Sequence, residues 1–305
     1  MITNVSRSAA GVFRQVRRTP RHMRLPPFRQ VPATQPSSII VPLGVTYHRI
    51  FFRFTIAGVE ATEAQIKTQV TKIKATIDGD PKIDLSATEL LAIMNLWNGQ
   101  RNGTNWKAGT ITLHLARPWE QEIVAQDGPA WGCAVDGPGA VRAFNLEVTL
   151  GAGATIDLVE AFGEVTEATP LGRHFCVRRI ADAVAAIGDK VLSDWPSLSP
   201  EVAWYSLHID KTGGAGNQIT DIALKIDQVE EIERTNYGHI QAQLTAYGLQ
   251  QQAGFLHIPF ARRGRPMDAL PVVFQDARLI MACSAAFGNY NVLIETQEGV
   301  DPSDQ

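Results

Sequence analysis

Ala108-Gly109-Thr110-Ile111-Thr112-Leu113-His114-Leu115-Ala116-Arg117 aligns without a gap, at an offset of 145 residues, with Ala253-Gly254-Phe255-Leu256-His257-Ile258-Pro259-Phe260-Ala261-Arg262. Ala-Gly opens both segments and Ala-Arg closes both. Ile111, Leu113 and Leu115 match Leu256, Ile258 and Phe260, and this alternation is the period of a half-buried strand. It puts His114 and His257 on the opposite faces, where solvent or an interface is expected. A helix precedes each strand. Ser86-Ala87-Thr88-Glu89 is a capping-box pattern, Leu90, Leu91, Met94 and Trp97 follow at helical spacing, and Asn98-Gly99 closes the run. The counterpart is expected from about Gln228 to Tyr247, with Val229, Ile232, Ile240, Leu244 and Tyr247 inward. Further upstream, Lys74-Ala75-Thr76-Ile77-Asp78 and Ile222-Ala223-Leu224-Lys225-Ile226-Asp227 both end in Ile-Asp. Strand, helix, strand thus occurs twice in one order, which reads as two copies of one β-sandwich joined near residues 165–172.

The remaining sequence agrees with strands. Tyr47 to Phe54 is rich in β-branched and aromatic residues, and Phe144, Leu146, Val148 and Leu150 alternate with polar neighbours. Tyr205, Leu207 and Ile209 alternate with Ser206 and His208, and Gly- and Pro-rich turns such as Asp136-Gly137-Pro138-Gly139 punctuate the runs. A chain of 305 residues with 45% hydrophobic and 19% charged residues has the material for two cores. Cys133, Cys176 and Cys283 form neither a CxxC pair nor a disulfide framework, which suits synthesis in a reducing cytoplasm. No apolar run has the length of a membrane span, and no secretory signal is evident.

Charge is uneven. Residues 1–59 hold nine arginines and no acid, so the net −3 of the chain combines +9 there with −12 elsewhere. Residues 1–36 read as a basic, Pro-rich arm too poor in apolar residues to fold alone. Its Arg7, Arg14, Arg17, Arg18, Arg21, Arg24 and Arg29 call for an anionic partner: lipid head groups, nucleic acid or the acidic body of a neighbouring subunit. The first sandwich is placed at 37–168, the second at 169–297 and a tail at 298–305.

No catalytic constellation emerges. The seven histidines form no metal-binding spacing, no GxSxG is present, and Cys176 beside His174 lacks the further support a thiol nucleophile needs. Asp78, Asp80 and Asp84 are the carboxylates best grouped for a cation. Asp78 and Glu89 have the first-to-twelfth spacing of an EF-hand loop, but Lys82 and Ile83 occupy its fifth and sixth positions, so a polar loop entering a helix cap is the better reading. The Lys211-Thr212 pair precedes its glycines, the reverse of a phosphate loop, and the Arg262-Arg263 cluster lacks the interleaved aromatics of a single-strand binder.

Ile39-Ile40-Val41-Pro42-Leu43-Gly44-Val45-Thr46-Tyr47, the Ile77-Asp78-Gly79 turn, the capped helix, and Lys107-Ala108-Gly109 running to Leu115-Ala116-Arg117-Pro118 resemble the corticovirus-type major capsid proteins of tailless, lipid-containing bacteriophages. Val177-Arg178-Arg179, Trp204 to Ile209, and Gln275-Asp276-Ala277-Arg278-Leu279 carry the likeness into the second half, over roughly residues 37–297. The resemblance implies an all-β double jelly roll of two tandem eight-stranded sandwiches with short helical insertions. It implies a coat protein, not an enzyme, that forms homotrimeric, pseudo-hexagonal capsomers in the virion. These tile an icosahedral shell over an internal membrane, beside minor membrane proteins and a vertex or penton protein. It requires no cofactor and no sequence-specific nucleic acid; calcium is the one ion it brings. The arm would lie under the shell against anionic phospholipid heads. The rival readings are a glycan-processing enzyme on a double sandwich and a carbohydrate- or receptor-binding protein.

Overall fold

The structure, a computed structural model, describes residues 20–28, 33–98, 108–120, 126–196, 202–211, 218–263, 265 and 268–299. The first half builds β1 (Arg21–Arg24), β2 (Pro36–Ile40), β3 (Val45–Ile56), β4 (Val59–Glu60), α1 (Glu63–Gln69), β5 (Val70–Ile77) and β6 (Asp80–Leu85). It continues through α2 (Ala87–Asn98), β7 (Thr110–His114), β8 (Trp131–Gly132), β9 (Phe144–Leu150) and β10 (Leu158–Glu167). The second half builds β11 (His174–Val184), β12 (Gly188–Leu192), β13 (Ala203–Asp210), β14 (Ile219–Ile226) and β15 (Val229–Asn236). After these come α3 (Tyr237–Ala246), β16 (Phe255–Pro259), β17 (Leu270–Pro271), β18 (Ala277–Cys283) and β19 (Gly288–Glu298).

Sheet β1-β10-β3-β7 packs on β2-β9-β5-β6 in the first roll, and β11-β19-β13-β16 packs on β12-β18-β14-β15 in the second. Counting eight principal strands per roll, both have 1-8-3-6 against 2-7-4-5, all antiparallel. This is the double jelly roll expected from the sequence. Across the first sandwich Tyr47 meets Phe144 edge-on at 5.5 Å, and in the second Trp195, just beyond β12, packs on Trp204 of β13 with ring centroids 4.7 Å apart.

The sequence repeat has a structural cause. In each roll the third principal strand carries a bulge, at His48 in β3 and at Tyr205 in β13. The bulged carbonyl accepts two amides from the end of the Ala-Gly…Ala-Arg segment: Leu115 and Ala116 on His48, Phe260 and Ala261 on Tyr205. Gly109 and Gly254 start those segments at φ of +74° and +82°, which explains their glycines. The paired Ile-Asp motifs match as well. Asp78 Oδ1 accepts the amides of Arg142 and Ala143 at 2.8 and 2.7 Å, and Asp227 Oδ1 accepts those of Gln275 and Asp276, both at 2.9 Å. Each aspartate ties its hairpin turn to the entry of the strand before last.

Two expectations change. The basic arm does not run to residue 36: Arg21–Arg24 is the first strand of the first roll, paired with β10, and Leu25 and Phe28 are buried in its core. The helix expected from Gln228 starts at Tyr237, because Val229–Asn236 forms a hairpin with β14; Ile240 and Leu244 face inward, whereas Val229 and Tyr247 are exposed. Of the two alternatives for His114 and His257, solvent or an interface, solvent is excluded: they are 4% and 0% exposed. The capping box holds: Ser86 N–H donates to Glu89 at 2.7 Å, and Glu89 N–H to the Ser86 hydroxyl at 3.2 Å.

Candidate functional site

The two rolls meet edge-on, with β6 beside β11, and between them lies a buried polar seam. Arg117, Glu120, Ser206, His208, His257 and Glu295 are all at most 2% exposed. Arg117, at the end of the repeated first-roll segment, reaches across to form an ion pair with Glu295 on β19. Its guanidinium lies 3.5 Å above the Phe175 ring. Trp97, at the end of α2, donates its indole N–H to Glu295 at 3.0 Å and stacks on Trp119, with centroids 6.1 Å apart. Tyr205 donates to Glu120 from the other side.

Behind Glu295 the second roll adds Ser206, which donates to it at 2.6 Å, then His208 at 2.7 Å from Ser206, then His257 with Nδ1 2.7 Å from His208 Nδ1. With neutral rings the donors run one way, from His257 through His208 and Ser206 to Glu295. Burial would raise the Glu295 carboxyl, but the Arg117 charge and the bonds from His208 and Ser206 hold it at about 2. Burial, reinforced by His208, pushes His257 well below the usual histidine value. Burial with Arg49 and Arg117 takes His114 down to about 3. Burial raises Glu120 to about 7 against the pull of Arg117.

Ser206, His208 and Glu295 have the residue types of a hydrolytic triad but not its wiring. The serine gives its proton to the carboxylate and not to the histidine, and all three are fully buried. The arrangement joins two rolls. A buried pair of this kind does not by itself add much stability, but removing one member strands a charge, so it enforces one relative placement of the halves.

The sequence candidates fall elsewhere. Asp78 is spent on its turn. Asp80 is paired with Lys82 at 2.8 Å and Arg178 at 3.5 Å, and Asp84 with Lys72 at 3.5 Å. Asp80 and Asp84 are four residues apart on a strand, about 13 Å at 3.3 Å per residue. The three carboxylates do not converge, cations or amides occupy them, and they do not fit calcium. His174, Cys176 and Glu298 do come together, with ligand atoms within 4.8 Å of one another. Arg178 already donates twice to Glu298, at 2.9 and 2.8 Å, with Lys82 at 3.6 Å. Burial and the Glu298 charge raise the Cys176 thiol well above its usual value, so it is no nucleophile. Of the arm arginines, Arg21 and Arg24 stand exposed on β1; Arg7, Arg14, Arg17, Arg18 and Arg29 lie outside the described residues. No helix among the described residues is long and apolar enough to cross a membrane.

Family models match both halves: the viral coat protein P2 N-terminal domain over residues 22–166 and its C-terminal domain over 183–300. This chain belongs to the viral coat protein P2 family. As a P2-family protein it is a major capsid protein and a component of the virion, and its family and fold are structural, not enzymatic. The crystal structure of the major capsid protein P2 from Bacteriophage PM2 shares the fold at a TM-score of 0.77 and 17% identity, covering 92% of this chain and 97% of that one. A chain of the Sulfolobus Turreted Icosahedral Virus structure gives 0.65 at 16% identity, covering 93% and 92%. The Faustovirus major capsid protein gives 0.58 at 8%, covering 91% and 89%. No curated protein sequence matches the chain. The P2 N-terminal match begins at His22, inside β1, in keeping with that strand's place in the roll.

Proposed function

We propose that this coat protein forms trimeric, pseudo-hexagonal capsomers that tile an icosahedral shell over an internal lipid membrane, meeting minor membrane proteins and a different protein at the vertices. The observation that supports this most is the seam. It fixes two rolls of one strand order side by side, so three chains present six similar corners. The arm arginines Arg7, Arg14, Arg17, Arg18 and Arg29 face the anionic head groups, each worth about 1 kcal/mol near such a surface. Size-exclusion with light scattering and electron microscopy of the purified protein tests the capsomer; a chain that stays monomeric at every concentration and never forms particles overturns it. Deleting residues 1–19, which leaves β1 and the buried Leu25 and Phe28 intact, tests the arm. Loss of binding to anionic vesicles at low salt is expected, and undiminished binding refutes the lipid contact.

A further inference from the structure

The link between the rolls runs from the end of β10 to the start of β11, and it delivers a cluster that the seam does not use. His174 and Cys176 stand two residues apart on β11, hence on one face of it, and Glu298 lies opposite His174 on β19. All three are buried, and one nitrogen, one sulfur and one oxygen from them lie within 4.8 Å of one another. The first roll closes over the same place. Lys82 of β6 is 3.6 Å from Glu298, and Trp131 of β8 meets the His174 ring edge-on with centroids 6.3 Å apart.

The His174 ring is set up as a ligand. A carbonyl only accepts, so the 2.8 Å contact with Gly172 makes Nδ1 the N–H donor and leaves Nε2 with a bare lone pair. Nε2 has no hydrogen-bond partner among the described residues, although His174 is only 5% exposed. An acceptor in that position has lost its water and gained nothing in return. Fixing Nδ1 on a backbone carbonyl is also the arrangement that orients metal-ligating histidines. Glu298 is oriented in the same way. Arg178 donates to its two oxygens at 2.9 and 2.8 Å, and the Thr296 hydroxyl donates at 3.0 Å. A carboxylate has about four lone-pair sites, so these three bonds hold it without filling it. The Cys176 thiol hydrogen-bonds to Glu298 as well, which puts its proton where an ion can replace it.

We propose that His174 Nε2, Cys176 Sγ and a Glu298 oxygen bind a zinc ion, which clamps the start of β11 to the end of β19 beside the link between the rolls. Zinc bonds such donors at about 2.0–2.3 Å, which sets them about 3.5 Å apart, so the side chains close by about 1 Å. Water takes the fourth position. Imidazole and thiolate select this ion over calcium, which is held by six to eight oxygens. The thiol proton leaves to solvent as the sulfur–zinc bond forms, with no change of oxidation state. Thiolate and carboxylate then neutralise the ion, while Lys82 and Arg178 keep Asp80 as a partner at 2.8 and 3.5 Å. The site lies within one chain and does not depend on assembly.

The test uses the full chain, stripped of metal, kept reduced, and titrated with cobalt(II) as a spectroscopic stand-in for zinc. One cobalt per chain is expected, with a thiolate-to-metal charge-transfer band, the visible bands of four-coordination, and displacement of both by zinc. Cys176→Ser is expected to abolish the charge-transfer band, and His174→Gln to weaken cobalt binding by roughly tenfold or more. Cys133→Ser and Cys283→Ser, which alter the other two buried cysteines, should keep the spectrum. Circular dichroism of each metal-free variant confirms its fold. A second measurement needs no variant: zinc at a slight excess should raise the thermal midpoint of the wild-type chain, and magnesium at the same concentration should not. A wild-type chain without the charge-transfer band, a band that survives Cys176→Ser, or a midpoint that zinc leaves unmoved each overturns the site.

Discussion

The outer faces of β10 and β19 occupy the same place in two rolls of the same topology, yet they have opposite chemistry. On β10, Glu164 pairs with Arg49 at 3.0 Å, Glu160 lies near Arg24 and Arg53, and these arginines are one-third to two-thirds exposed. On β19, the corresponding Glu295 is fully buried, with Arg117, Ser206 and the Trp97 indole around it. Exposed pairs are loosely held and screened by water, whereas buried groups need every partner. The fold dictates neither state. What differs is the partner: Arg117 and Trp97 of the first roll close over Glu295, whereas Glu164, itself only 9% exposed, is paired with the partly exposed Arg49.

The largest test of this contrast compares the two glutamates. Glu295→Ala or Arg117→Ala is expected to cost about 3–5 kcal/mol in urea unfolding, because it leaves an uncompensated buried charge. Glu164→Ala, which removes a nearly buried carboxylate but leaves Arg49 partly in water, should cost less, about 1–2 kcal/mol; equal losses would break the comparison. Next come the turn aspartates, where the rolls should behave alike. Asp78→Ala and Asp227→Ala each remove a charged acceptor from two backbone amides, an expected loss of about 1.5–3 kcal/mol, and a large disparity would show that the two turns are not equivalent.

A smaller effect is pH dependence. His114 stays neutral when folded, with its pKa lowered to about 3 against 6.5 unfolded. Its contribution is therefore complete above pH 6.5 and is lost as pH falls toward 3, at about 1.4 kcal/mol per pH unit for one ring. His114→Gln should reduce the acid slope of stability, measured by denaturant unfolding between pH 7 and 4. An unchanged slope would exclude His114 from the acid response. Smallest of all, a calcium chelator should leave the unfolding midpoint of the unassembled chain unchanged, since Asp80 and Asp84 already have cationic partners.

Much of the fold was legible because its signals are local. Alternation marked β7, β9, β13 and β16, and the Ala-Gly…Ala-Arg repeat marked the same bulge contact in both rolls. Two errors came from the same source. The hairpin strand β15 carries Ile232 among glutamates, so its pattern merged with the helix behind it, and β1 is four residues of mostly exposed side chains with no apolar alternation to show. The candidate site was nearly invisible. Ser206 and His208 lie on the polar face of an alternating strand, which ordinarily means solvent. Their burial comes from the other roll, and their partner Glu295 is more than 80 residues away.

The sequence alone determined that one sandwich occurs twice, which residues make each core, and that the chain is basic at one end, because periodicity, turn chemistry and charge are written residue by residue. Only the tertiary structure decided which of two equivalent faces receives Arg117 and Trp97, that Arg21 and Arg24 belong to a strand, and that Asp78 holds a turn in place of a cation. Those outcomes depend on what another segment brings within a few ångströms, and no local pattern records that distance.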